Sequence, residues 1–462
     1  MGARVPLTAG VEGPLTGGKH GWPFAAALQD VAALGYEELE YVLAGAAKRY
    51  RDVDDSTSRR DGHWQAEQAG EAGFRTRMLV YRPKDPARFN GTVILNWNNV
   101  TAGYDLFGAE SLELFEGGFA VVFLTTQKVG IEGLPPVRQG LADWDPERYG
   151  SLTIPSDDYA YDVFTQAALA VGPDRPRDPD PLGGLDVQRV IGWGASQSAG
   201  RLATYLNTIQ PLTGALDGCI LAIYFGRGTP LEVGEAVVNI NDRPAAATQN
   251  QLVGANLIRD DLGIPVFVVN SELEAISCYG VRQPDTDTFR YWEAAGTCHV
   301  SQQVQQTRQA LQDRDGIQGR PMDPDVNAVP MALLYDAVFH HMQRWAADGI
   351  APPVQPKIEF AGEPPQVVRD GHGIARGGIR LPQVEAPLAK NSAIPRGEGI
   401  FALLGGSCEP FPADKVRELY GDEATFIARF EAAAHDAVDA GVLMPRDVPV
   451  LVAEAKRLWP TA

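Results

Sequence analysis

The chain has 462 residues, of which 44% are hydrophobic and 21% charged, an ordinary globular composition that can bury a large core. Lys and Arg number 40 against 59 Asp and Glu, so the formal net charge is −19; such a chain repels polyanions, which excludes sequence-independent nucleic-acid binding. No run approaches the ~20 apolar residues of a membrane span.

The first twenty residues are Gly-rich and polar, without the apolar centre of a signal peptide, and the chain is expected to be cytoplasmic. Glu38–Leu43 alternates weakly, as a strand would, and Arg77–Tyr81 alternates more clearly. Thr92–Trp97, Ala120–Thr125, Val190–Trp193, Cys219–Phe225 and Pro265–Asn270 are near-continuous apolar runs. These are predicted to be strands of a parallel sheet covered on both faces. Helical patterns lie between them at Ala109–Glu116, Asp158–Val171 and Ala199–Ile209. Strand–helix alternation predicts an α/β fold with right-handed crossovers. Met331–Ala347 is helical and is stopped by Gly349 and Pro352-Pro353. Ala351–Gly399 is rich in Pro and Gly and reads as a long excursion over the surface. Pro412–Leu458 is helical again, as a cap or brace. The cysteines, at 219, 278, 298 and 408, form no CxxC pair and read as reduced thiols.

The most informative segment is Arg189–Arg201, RVIGWGASQSAGR. An apolar strand runs into Gly194-Ala195-Ser196-Gln197-Ser198, and a helix follows. Hydrolases place a nucleophilic Ser on such a strained strand-to-helix turn, where bulky residues two positions away would clash. Ser198 replaces the usual second glycine. Without chemistry, the same residues would be a plain small-residue turn. As the residue after the nucleophile, Gln197 would offer its N–H as one oxyanion donor. A second donor is expected from the loop after Thr92–Trp97, at Asn99 or Val100, whose alternative role is to satisfy the turn.

A serine nucleophile needs a base, and in this fold the chain order is Ser, acid, His. Downstream of Ser196 stand His299, His340, His341, His372 and His435. His299 follows a short strand-like run and the turn Ala-Gly-Thr-Cys, the place where the fold presents its base. His340 and His341 sit mid-helix, His372 in a Gly-rich loop and His435 in an Ala-rich helix, where packed or solvated roles fit better. The acid should follow Ile264–Asn270, and both Glu272 and Glu274 do. Glu274 is favoured for its offset of three residues from Ser271, with Glu272 as a hydrogen-bonding residue of the loop. Cys298 adjoins the base but lacks the elbow or helix N-terminus that would activate a thiol.

With these residues in hand, the chain resembles the bacterial "alpha/beta hydrolase domain" proteins. The likeness includes GPLTGGKHGWPF (Gly13–Phe24), GYEELEYVLAGAAKRY (Gly35–Tyr50), GTVILNWNNVTAGYD (Gly91–Asp105) and SDDYAYDVFTQA (Ser156–Ala167). It continues through ASQSAGRLATYLN (Ala195–Asn207), NSELEAISCYGVRQPDTDTFRYWEAAGTCHV (Asn270–Val300) and DGHGIARGGIRLPQVEAPLA (Asp370–Ala389). Ala199 interrupts the S-Q-S-G-R pattern, which bears on the packing of Gly200 and not on the position of Ser196. The resemblance implies Ser196 as nucleophile, Glu272 or Glu274 as acid, His299 as base, and ester hydrolysis without a metal.

The expected architecture is an α/β-hydrolase fold: a mostly parallel sheet with helices on both faces, a lid insertion and a C-terminal helical extension. A catalytic domain is expected over 1–350, with the lid at about 226–263, and the extension over 351–462. The expected partner is a small-molecule ester, with no cofactor or metal ion. Lactonase, amidase or acyltransferase activity on the same triad, or ligand binding with little turnover, are the alternatives. A dinucleotide-binding oxidoreductase is excluded because no G-x-G-x-x-G opens the first strand–helix unit.

Overall fold

The computed structural model describes residues 4–106, 111–234, 255–319, 323, 325–398 and 400–460. The expected lid therefore lies largely outside the described residues. The chain divides into two compact units. One takes in Met1–Val266, Asp287–Phe289 and Leu311–Ile317; the other takes in Phe267–Thr286, Arg290–Ala310 and Gln318–Ala462.

The strands of the first unit are β1 (Gly10–Glu12), β2 (Tyr36–Asp52), β3 (Ala66–Pro83), β4 (Thr92–Trp97), β5 (Ala120–Leu124), β6 (Arg189–Ala195) and β7 (Gly218–Ala222). Their order is β1-β2-β3-β5-β4-β6-β7. β4 lies parallel to both β5 and β6, and β6 parallel to β7. Every residue of β4, β5 and β7 is buried, which is why these segments read as unbroken apolar runs. The crossover helix α1 (Ala160–Ala170) is buried along nearly its whole length.

β1, β2 and β3 extend the sheet in antiparallel fashion. β2 and β3 form a hairpin of 17 and 18 residues, far longer than the alternating pieces Glu38–Leu43 and Arg77–Tyr81 suggest. Its outer half, Lys48–Asp52 against Ala66–Glu71, is mostly half-buried or exposed, so the side chains carry little pattern. Paired backbone holds it, with a register shift between Arg49 and Tyr50.

Beneath this hairpin lies a buried ionic group. Arg77 pairs with Glu40, which also takes Arg148 and the Tyr149 hydroxyl. Arg77 and Glu40 side chains are 1% and 0% exposed, so neither charge has water to fall back on. The segment Leu311–Ile317 joins the same unit through Asp315, whose carboxylate accepts from Trp22 Nε1 at 2.8 Å and Ala25 N at 3.1 Å. It ends a helix, Gln302–Asp315, that Gln- and Arg-rich sequence does not announce.

In the second unit β8 (Val266–Ser271) neighbours β9 (Phe289–Ala294). Its helices include α2 (Glu272–Cys278), α3 (Met331–Asp348), α4 (Glu423–Asp439) and α5 (Val448–Leu458). The stretch Ala351–Gly399 differs from the expected surface excursion. Ile358, Ile374, Ile379, Leu381 and Val384 are all buried. Ile379 forms a parallel bridge with Ala294 at the end of β9. Glycines make this close approach feasible: a Cβ at Gly378 would stand 2.9 Å from the Glu293 carbonyl oxygen. Low apolar density in sequence thus conceals a segment that packs by backbone.

Among the described residues no helix is long and apolar enough to cross a membrane.

Candidate active site

β6 ends at Ala195, and a helix begins at Gln197. Ser196 between them has φ +62° and ψ −118°, a backbone conformation costly for any residue with a Cβ. The strain is held by the elements on either side. Ser196 N donates to Ala222 O on β7, and Ser196 O accepts from Gly200 N in the helix. Gly194 is needed because a Cβ there would lie 2.8 Å from Leu202 Cδ1 and 3.0 Å from the Ser198 backbone. Ser198 is fully buried on the helix side of the turn. Gln197 is the first helical residue, so the helix itself does not use its N–H.

The loop after β4 is tied to this turn. Asn99 Nδ2 donates to Ala195 O at 3.1 Å, and Asn99 Oδ1 accepts from Thr101 N and Oγ1. The Val100 side chain is anchored in a small apolar cluster with Val129 and Leu134. Asn98 Nδ2 donates to Asp105, which also accepts the Thr125 hydroxyl and lies 3.9 Å from Arg77. Trp97 and Tyr104, on either side of this loop, serve packing. Trp97 is buried against Tyr161 and Phe164, and Tyr104 accepts from Gln312 Nε2.

The second unit holds the other candidates. Ser271 caps α2, and Glu274 at the third helical position closes a capping box. Glu274 Oε2 accepts from Ser271 N at 3.2 Å and from the Ser271 hydroxyl. Its Oε1 lies 2.7 Å from His299 Nδ1. The carboxylate only accepts, so Nδ1 carries the proton in this bond. Both side chains are buried, at 0% and 5% exposure.

Glu272 does not share that bond. Its Oε1 is 2.6 Å from Arg369 Nη2, and its Oε2 accepts from Gly296 N at 2.9 Å. Sequence reasoning missed Arg369, which stands just outside the family-like run Asp370–Ala389; its one signal is a charge set in a stretch of Pro and Gly. Cys298 is buried, and burial pushes its thiol above the ordinary range, contrary to what a thiolate nucleophile needs. His341 is held by the Gly441 carbonyl at 2.7 Å, and His435 is exposed on α4.

Among the described residues one trio, His63, Asp260 and Asp261, brings three potential metal-ligand atoms within 4.8 Å of one another. It is partly exposed, and Asp261 is already paired with Arg259.

A family model described as an alpha/beta hydrolase domain matches residues 11–453. No curated protein matches the chain. Among solved structures, a brefeldin A esterase described as a bacterial homologue of human hormone sensitive lipase is 13% identical, with a TM-score of 0.29 over 59% of this chain and 76% of that one. Esterase Est22 is 13% identical, with a TM-score of 0.31 over 62% and 82%. A structure from a study of two prolyl endopeptidases is 8% identical, with a TM-score of 0.28 over 61% and 44%.

Proposed function

This chain belongs to the alpha/beta hydrolase domain family, and from that premise we propose that it is a serine hydrolase cleaving a carboxylic ester of a small or medium organic substrate through an acyl-enzyme. The observation that carries the reading is Ser196, a non-glycine residue at φ +62° between a buried strand and a helix N-terminus. Strain of this kind persists where the surroundings over-determine it, and it exposes a hydroxyl beside unused N–H groups.

In this reading Ser196 Oγ attacks the ester carbonyl and His299 Nε2 takes its proton. Glu274 fixes the tautomer by holding the ring proton on Nδ1, and stabilises the imidazolium that forms. The oxyanion is met by the N–H of Gln197 and by an N–H at Asn99 or Val100. His299 then returns the proton to the leaving alkoxide. Water, deprotonated by the same nitrogen, releases the acid and regenerates Ser196. An oxyanion donor of this type is worth about 3 kcal/mol.

The test is a chain-length panel of p-nitrophenyl esters on wild type and Ser196→Ala, with fluorophosphonate labelling alongside. Hydrolysis and labelling by wild type, both lost in a folded Ser196→Ala, are expected. Undiminished turnover in that variant would end the proposal.

A further inference from the structure

His299 and Glu274 lie at the ends of two separate connections, the loop after β9 and the first turn of α2. Their 2.7 Å bond is only as well defined as the alignment of those two backbones. Four contacts bear on that alignment, and Glu272 takes part in each. Glu272 N donates to Thr297 Oγ1 at 3.3 Å, and that hydroxyl donates on to Ala294 O. Glu272 Oε2 accepts from Gly296 N, three residues before His299. Glu272 Oε1 receives Arg369 Nη2 at 2.6 Å and, more loosely, Ala393 N at 3.4 Å.

Glu272 is fully buried, and a lone carboxylate there would be costly. Arg369 removes that cost. It comes from the Pro/Gly-rich stretch, and its guanidinium is itself tied back to Gly373 O. The same stretch also grips the end of β9 and the first residue of the His299 loop by backbone: Ile379 N donates to Glu293 O at 2.7 Å, and Ala295 N to Ile379 O at 2.8 Å.

We propose that Arg369 and Glu272 are positioning residues: the C-terminal stretch, through this ion pair, clamps the loop that presents His299 and sets it against Glu274. The inference rests on the reading of His299 as the base. It assigns the second acidic candidate a task distinct from the triad, and it makes residues beyond 350 a working part of the catalytic apparatus.

The experiment replaces both charges with apolar side chains of similar size, Glu272→Met with Arg369→Met, so that no buried charge is left alone. Two readouts are taken. The first is the low-field proton resonance of His299 Nδ1–H bonded to Glu274, assigned by its absence in His299→Gln. The second is steady-state hydrolysis of p-nitrophenyl acetate. The expected result is a broadened or lost resonance, with kcat lower by on the order of 10- to 100-fold and KM within about twofold, as a small misplacement of a base produces. If the double variant does not fold, Glu272→Gln, which keeps size and one acceptor, is read the same way. A folded variant with wild-type kcat and an unchanged resonance overturns the proposal. The resonance does not depend on turnover, so failure of the esterase reading, seen as an active Ser196→Ala, is told apart from failure of the clamp.

Discussion

Replacing Glu274 with Gln changes one atom in a carboxylate whose two oxygens have different duties. Oε2 accepts from the Ser271 backbone N–H and hydroxyl, while Oε1 faces His299 Nδ1 at 2.7 Å. An amide keeps only one acceptor. The backbone N–H of Ser271 cannot turn away, so the amide oxygen stays on Ser271 and the NH2 faces the imidazole. Nδ1 must then accept, which puts the ring proton on Nε2, the wrong tautomer for the base proposed above. In the serine-protease template the wrong tautomer costs about 10⁴ in kcat, or about 5 kcal/mol of barrier. The capping acceptor survives, so stability should move by less than about 1 kcal/mol. The assay is kcat/KM with p-nitrophenyl acetate beside a urea melt of both proteins. A folded Glu274→Gln within tenfold of wild type would refute the tautomer argument.

Other expectations follow from the fold. Arg77→Met takes from Glu40 one of its two cations, leaving Arg148 and the Tyr149 hydroxyl, and should cost about 2–4 kcal/mol in urea denaturation; a loss under about 1 kcal/mol would contradict the buried-pair account. Gly194→Ala drives a methyl to 2.8 Å from Leu202 Cδ1 and onto the Ser198 backbone. It should lower stability by about 1–3 kcal/mol and reduce fluorophosphonate labelling of Ser196, whereas unchanged melting and labelling would show that the turn can relax. Burial holds the His341 imidazole below its ordinary 6.5, against the Gly441 carbonyl bond that favours the proton. The unfolded chain then binds the proton first as pH falls, so stability is full above about 6.5 and declines below it. Tm should drop between pH 7 and pH 5 by less in His341→Gln than in wild type, and equal slopes would remove His341 from the account.

The central strands and the elbow were legible because burial on both faces leaves a run of apolar residues, and a strained turn leaves small ones. Thr92–Trp97 is named residue for residue as β4 for that reason. The hairpin β2–β3 was legible only in its buried half, where side chains alternate. Beyond it the pairing is carried by backbone, which leaves no composition to read. The Pro/Gly-rich stretch misled for a related cause: its glycines permit close backbone contact with the end of β9, and sequence registers them only as turn formers.

Sequence by itself determined the family and the small-residue strand-to-helix turn at Ser196, and offered candidates to go with it: one histidine after a strand and two glutamates after another. Between those glutamates it favoured Glu274, on nothing more than its offset from Ser271. At positions one and three of the same helix, Glu272 and Glu274 point about 200° apart, so only one of them can face any given neighbour. The tertiary structure decided which: the loop after β9 brings His299 to Glu274, and a charge from far along the chain, Arg369, occupies the other side at Glu272. Direction around a helix is written in local spacing, but what stands on each side of it is set only when distant segments pack.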